Sequence, residues 1–130
     1  MSDQPLVSII INCFNGEKYI RKALDSVLTQ TYENWEIIFW DNQSKDKSAE
    51  IFKSYDDKRF KYFCAEAHSP ILYKARNYAL EKAKGQFVAF LDVDDWWLPK
   101  KLEEQIPLFQ NSRVCVVYGN CWIFLEKKNK

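Results

Sequence analysis

Hydrophobic and polar positions follow two different patterns along the chain. Short apolar runs rich in β-branched and aromatic residues, without strict alternation, predict strands that are covered on both faces. They are Val7–Cys13, Trp35–Trp40, Phe60–Cys64, Phe87–Leu91 and a last run from Val114 to about Phe124.

Between these runs, apolar residues recur at the three-to-four-residue spacing of amphipathic helices. The spacing predicts helices over 18–29, 48–55 and about 71–84. A further helix is predicted after Pro99, with Leu102 and Ile106 inward, and Pro107 should end or kink it. Strands alternating with helices predict a single α/β domain over 1–130, with a mostly parallel sheet and helices on both faces.

Polar residues follow three of the predicted strands. In parallel sheets, ligands collect at the carboxyl ends of the strands, so these groups should share one edge. They are Asn12 and Asn15, with the aromatic Phe14 between them, after the first strand, 41–44 (DNQS) after the second, and Asp92, Asp94 and Asp95 after the fourth.

The acidic group holds three carboxylates within four residues, directly after an apolar run. Their mutual repulsion is costly unless a cation screens it, and Mg²⁺ or Mn²⁺ commonly takes one or two carboxylates together with phosphate oxygens. The alternative is a solvated acidic turn that caps the next helix.

Other candidates have equally ordinary alternatives. Asp41 suits either a ligand contact or a turn, and the Arg76 guanidinium either a phosphate contact or a solvated helix face. His68, the only histidine, has no serine or cysteine arrangement around it and is interpreted as a loop residue without a chemical role. Trp96 and Trp97 follow the acids, and we expect one of them to belong to the core.

Composition and charge exclude several classes of protein. The chain has 47% hydrophobic and 28% charged residues, as in ordinary globular domains, and its net charge of +1 lacks the basic excess of nucleic-acid-binding proteins. No apolar stretch is long enough for a membrane span or a signal peptide. The four scattered cysteines lack the close pairing of a zinc site and are predicted to be buried free thiols.

Four segments in this order form a specific pattern over essentially the whole chain: VSIIINCFNGEKYIRKALDSVLTQTY, WEIIFWDNQSKD, YKARNYALEKAKGQFVAFLDVDD and WWLPKKLE. Together they resemble the family 2 glycosyltransferases of the GT-A fold. The resemblance implies inverting transfer of a sugar from a nucleotide-sugar donor, usually a UDP-sugar, to a saccharide, lipid or protein acceptor. Polysaccharide biosynthesis is one such setting. It further implies a cytoplasmic protein at the membrane periphery, with membrane association only through other parts of a longer chain.

The same resemblance assigns roles to individual residues. It implies that Asn12, Phe14 and Asn15 embrace the nucleotide, that Asp41 recognises the base, and that Arg76 faces the nucleotide. Asn12 stands where the family usually has proline, and Phe14 where it often has tyrosine.

For the acidic segment, the resemblance implies that Asp92 and Val93 contact the nucleotide, with Asp92 at the ribose. Asp94, helped by Asp95, would bind Mn²⁺ or Mg²⁺. Family catalytic domains run longer than this chain, so the acceptor half and the general base are expected beyond Lys130.

Parts of the sequence also fit two other functions. Asp92 and Asp94 mimic the D-x-D pair of haloacid-dehalogenase-like phosphatases. However, that motif has Thr or Val at the position of Trp96, and it follows the first strand of its fold, whereas Asp92 and Asp94 follow the fourth predicted strand here. A non-catalytic nucleotide- or partner-binding module is the second alternative, because no general base is recognised in the chain.

Overall fold

The computed structural model describes residues 4–123 and contains a four-stranded sheet. Every neighbouring pair is parallel, and the spatial order is β3-β2-β1-β4. The α/β fold with a parallel sheet is therefore confirmed. The strands are β1 (Val7–Cys13), β2 (Trp35–Asp41), β3 (Phe60–Cys64) and β4 (Phe87–Phe90).

Each of the four predicted helices forms, but over a shorter range than its pattern covers. They are α1 (Ile20–Leu28), α2 (Ser48–Lys53), α3 (Leu72–Leu80) and α4 (Lys101–Gln105). A 3₁₀ helix, Ile106–Gln110, continues directly from α4 and contains Pro107. The change from α to 3₁₀ geometry fits proline, which cannot donate the backbone hydrogen bond of an α-helix.

Helices cover both faces of the sheet, as predicted. The odd-numbered residues of β1, and those of β2 up to Phe39, belong to the larger core. This core also contains Leu24 of α1 and Phe52 of α2, and the Phe52 ring stacks on that of Phe39. On the opposite face, Ile10 and Ile38 pack with Ala79 of α3. Successive strand residues point to opposite faces, so neighbouring residues of one strand enter different cores.

The predicted last strand is wrong in its described part. Residues 114–123 form neither strand nor helix, and Val116, Tyr118 and Trp122 are more than three-quarters exposed. Val-rich sequence favours a strand only where a partner strand supplies hydrogen bonds, and no described residue pairs with the outer edge of β4. Phe124 lies outside the described residues.

The prediction that the cysteines are buried free thiols is confirmed for Cys13 and wrong in burial for the other three. All four thiols are free, but Cys13 alone is buried, whereas Cys64, Cys115 and Cys121 are exposed. Cys64 ends an edge strand, and the other two lie in the irregular segment, so no second layer covers them. Over residues 4–123, no helix is long and apolar enough to cross a bilayer.

Candidate functional site

The carboxyl ends of β1 and β2 are joined by direct hydrogen bonds. Asn42 N donates to the Cys13 carbonyl at 2.8 Å, Asn15 N donates to Ser44 Oγ at 3.0 Å, and Lys45 N donates to Asn15 Oδ1 at 2.8 Å. Asn15 has a φ of 52°, in the left-handed region that asparagine tolerates better than most residues. The polar groups after these two strands therefore form one continuous edge.

An open cleft of about 320 Å³ lies at this edge, where the loop after β1 faces the acidic segment after β4. It brings five predicted nucleotide-binding residues and one predicted metal ligand together. It is lined by Asn12, Phe14, Asn15, Gly16, Tyr19, Leu72, Asp92, Val93 and Asp94.

Asn12 lines the cleft and has a side-chain donor that the described residues leave unused. Its Nδ2 atom is buried, and no described atom accepts from it. A buried donor without a partner costs about 1–3 kcal/mol, so a ligand acceptor at this position would be favoured. Asn12 therefore fits the predicted contact with a ligand.

Asp41 does not line the cleft. Only 2% of its surface is exposed, and its carboxylate accepts hydrogen bonds from the Ser44 backbone N at 2.8 Å and the Tyr62 hydroxyl at 2.6 Å. Its backbone carbonyl accepts a bond from Ala65 N. Asp41 thus ties the end of β2 to β3 as well as standing at the predicted edge.

Arg76 reaches the acidic segment from α3. Its Nη2 atom lies 3.0 Å from Asp92 Oδ1, and its guanidinium carbon lies 5.4 Å from the centre of the Phe90 ring. Both partners of the ion pair are partly exposed, so the pair contributes little stability. Arg76 is therefore next to the cleft through Asp92.

Asp94 and Asp95 differ in their surroundings. Asp94 lines the cleft, whereas Asp95 lies outside its lining. Partial burial, and then the charges of Asp94 and Asp92, raise the pKa of Asp95. Negative charge is thus concentrated after β4, where Arg76 pairs with Asp92.

The acidic segment fits a divalent cation only with help from a ligand. In the described part of the chain, no three His, Cys, Asp or Glu side chains converge on one point. Mg²⁺ and Mn²⁺ need no such cage, since one or two carboxylates with waters and substrate phosphate oxygens complete their shell. The candidate donors for such a shell are Asp94, which lines the cleft, and its neighbour in the chain, Asp95.

The sequence pattern did not indicate several residues that lie at this edge. Tyr19 and Leu72 line the cleft, and the His68 ring, to which no role was assigned, lies 4.4 Å from that of Phe14. Tyr62 bonds Asp41 because β3 pairs in parallel with β2, which only the strand register reveals. The expectation for the tryptophans is confirmed, because Trp97 is buried in the larger core and Trp96 is exposed.

Several known proteins are similar to this chain in sequence or in fold. The chain is 41% identical over 118 residues to the Escherichia coli UDP-Glc:alpha-D-GlcNAc-diphosphoundecaprenol beta-1,3-glucosyltransferase WfgD, covering 91% of this chain and 46% of that protein. It is also 41% identical over 114 residues to the putative teichuronic acid biosynthesis glycosyltransferase TuaG of Bacillus subtilis, covering 86% of this chain and 44% of that protein. The chain therefore spans less than half the length of these relatives.

Solved structures of other proteins share the fold of this chain. The fold matches Staphylococcus aureus TarS in complex with UDP, with a TM-score of 0.75 and 32% identity, over 82% of this chain and 32% of that chain. A mannosyltransferase from Pyrobaculum calidifontis, in complex with GDP-Man and Mn²⁺, shares the fold with a TM-score of 0.66 at 24% identity, over 74% of this chain and 29% of that chain. The family described as glycosyl transferase family 2 matches residues 8–130, and the chain belongs to that family.

Proposed function

We propose that this chain binds the nucleotide-sugar donor of a metal-dependent, inverting glycosyltransferase, with a UDP-sugar as donor. The observation that carries the proposal is the cleft between the β1 loop and the acidic segment, which holds Asn12, Phe14, Asp92 and Asp94 together. The names of the relatives support it, since WfgD is named for UDP-glucose and TarS has been crystallised with UDP and UDP-GlcNAc.

The residues divide between the parts of the donor. Phe14 offers an exposed ring for stacking, Asn12 an unused N–H donor, and Asn15 a backbone already fixed against the loop after β2. Asp41 would accept a hydrogen bond from the base, and Asp92, held by Arg76, would accept one from the ribose. Val93 closes the cleft between the two acids.

Asp94, with Asp95 beside it, would hold Mn²⁺ or Mg²⁺ against the diphosphate. When bound there, such an ion would supply positive charge that stabilises the departing nucleoside diphosphate. Asp94 lines the cleft and is the candidate ligand, while the Asp92 carboxylate oxygen Oδ1 is paired with Arg76.

Transfer with inversion requires a base that takes the proton of the acceptor hydroxyl. Since the cleft carboxylates are assigned to the donor and the cation, we propose that the general base lies outside residues 1–130. The diphosphoundecaprenol in the name of WfgD supports a lipid-linked saccharide as acceptor.

Titration calorimetry of the purified chain with UDP, GDP, ADP and CDP, each with Mn²⁺ or EDTA, tests the proposal. We expect UDP to bind most tightly and Mn²⁺ to strengthen it. Asp94→Ala should abolish the Mn²⁺ enhancement, because the ion loses its carboxylate at the cleft.

The matched control is Asp56→Ala, which removes an exposed carboxylate from the loop after α2 and should keep the Mn²⁺ enhancement. Absence of nucleotide binding would refute the donor site. An unchanged Mn²⁺ enhancement in Asp94→Ala would refute the assignment of the cation.

A further inference from the structure

The carboxylate of Asp41 is held on both of its oxygens. Oδ1 accepts from the Ser44 backbone N at 2.8 Å, and Oδ2 accepts from the Tyr62 hydroxyl at 2.6 Å. The second length is typical of a hydroxyl that donates to an ionised carboxylate. The terminal torsion of an aspartate is otherwise broad, so donors on both oxygens fix the plane of this carboxylate.

Tyr62 is itself fixed by its ring. The ring lies 6.0 Å from those of Phe39 and Phe52, and Lys53 Nζ lies 4.2 Å from its centre. Burial, and then the bond to Asp41, raise the pKa of Tyr62, so its hydroxyl stays protonated and remains a donor. The hydroxyl therefore reaches Asp41 from a ring that the core already places.

A carboxylate has about four acceptor positions, and the two described bonds use one on each oxygen. Lone pairs remain for an incoming N–H donor, and because Asp41 is only 2% exposed, that donor must reach a buried carboxylate in the directions that the fixed plane allows. An acceptor that is already oriented does not have to be ordered when the ligand binds, which favours affinity.

Resting on the donor site proposed above, we propose that Tyr62 is a positioning residue that orients Asp41 to accept the ring N–H of the nucleotide base. The preferred base is one that presents such an N–H, as uracil does at N3. Tyr62 acts through Asp41 and determines specificity for the base.

The test compares UDP with its N3-methyl analogue, which keeps the ring and loses the N–H. Affinities are measured by calorimetry for the unaltered chain, for Tyr62→Phe and for Tyr55→Phe. The last variant is a matched control, since the Tyr55 hydroxyl also donates to an aspartate. Its acceptor is Asp25 Oδ1 at 2.8 Å, in α1, and neither residue lines the cleft.

We expect the unaltered chain and Tyr55→Phe to prefer UDP by roughly tenfold or more, the value of a hydrogen bond to a charged group. In Tyr62→Phe the preference should fall below about threefold, while affinity for the methylated analogue stays unchanged. A purely structural role of Tyr62 would lower stability and leave the preference between the two ligands as it was.

Each other outcome has a definite meaning. If the unaltered chain binds neither ligand, the donor site itself is refuted. If it binds UDP and Tyr62→Phe keeps the full preference, or if the unaltered chain shows no preference, the role of Tyr62 is refuted. Should Tyr62→Phe fail to fold, the ¹³Cζ resonance of Tyr62 in the unaltered chain decides: UDP should shift it and the methylated analogue should not, and equal responses would refute the proposal.

Discussion

At the scale of single residues, Gly16 determines how closely the β1 loop approaches the acidic segment. A Cβ atom on Gly16 would lie 2.8 Å from Val93 Cγ2 and 3.0 Å from Cys13 Sγ. The Gly16 backbone N also donates to Ser48 Oγ at 2.9 Å, so the loop cannot move away freely. The missing side chain is therefore what lets the β1 loop pack closely against Val93.

Gly16→Ala is expected to lower the free energy of unfolding by about 1–3 kcal/mol, the usual cost of overpacking, and to weaken UDP binding. The added methyl group pushes Val93, and with it Asp92 and Asp94, away from the loop. Chemical denaturation and calorimetry measure the two effects. Combining the change with Val93→Ala should cost less than the sum of the two single variants, because the second change removes the clashing methyl groups. Additive effects would contradict the close-approach argument.

At the scale of elements, the connection 65–71 between β3 and α3 is attached to the end of β2. Asn42 Nδ2 donates to the Ser69 carbonyl at 2.7 Å, and Ser69 N donates to Asn42 Oδ1 at 2.9 Å. His68 Nδ1 lies 3.0 Å from the Asn42 carbonyl, and its ring contacts Phe14. The buried side-chain amide of Asn42 thus fixes the connection 65–71. This connection contacts Phe14 of the cleft through His68 and leads into α3, the helix that carries Arg76.

We expect Asn42→Ala to release this connection. Losing two hydrogen bonds should lower the free energy of unfolding by about 1–3 kcal/mol and weaken UDP binding several-fold. Hydrogen exchange should become faster at the Ser69 amide. Asn34→Ala is the control, because the Asn34 amide bonds the Gln4 carbonyl at the opposite end of the sheet. Unchanged exchange at Ser69 in Asn42→Ala would contradict the attachment.

The sequence predicted elements well where periodicity alone decides. The continuous apolar runs of β1 and β2 and the helical spacing of α1 can be recognised within each segment, and they match the burial of these elements in the structure. The run after Val114 is likewise rich in β-branched and aromatic residues, yet it is irregular to residue 123. A strand also depends on a partner strand elsewhere in the chain. Element ends were less accurate, since caps and local contacts decide them.

For the candidate site, the sequence predicted which residues share the sheet edge but not their contacts. Asn12, Phe14 and Asp94 line one cleft, as strand-end placement suggested. The bond between Tyr62 and Asp41 joins positions 21 apart and depends on the register of β2 and β3. Such pairings follow from tertiary packing, which no local pattern encodes.

At the scale of the whole molecule, the two ends of the sheet have different tasks. The carboxyl end carries the cleft, whereas the amino end carries a buried polar network: Ser8 Oγ donates to Glu36 Oε1 at 2.7 Å and accepts from Gly85 N at 2.8 Å. Lys84 N also donates to Glu36 Oε1 at 2.8 Å. A Cβ on Gly85 would lie 2.6 Å from Ser8 N, so the entry to β4 passes tightly against β1. The network therefore joins β1, β2 and the segment between α3 and β4.

Separation of these two tasks gives a prediction for Glu36, which is only 6% exposed. Glu36→Ala should lower the free energy of unfolding by about 2–4 kcal/mol, because the Ser8 hydroxyl and the Lys84 amide both lose a buried, charged acceptor. Glu36→Gln keeps an oxygen acceptor and should recover most of that loss. Urea denaturation measures stability, and calorimetry below the unfolding transition measures UDP affinity, which we expect to change less than about twofold in either variant, since the network touches no residue of the cleft. If affinity instead falls in step with stability, the amino end of the sheet is coupled to the cleft, and the division of tasks is wrong.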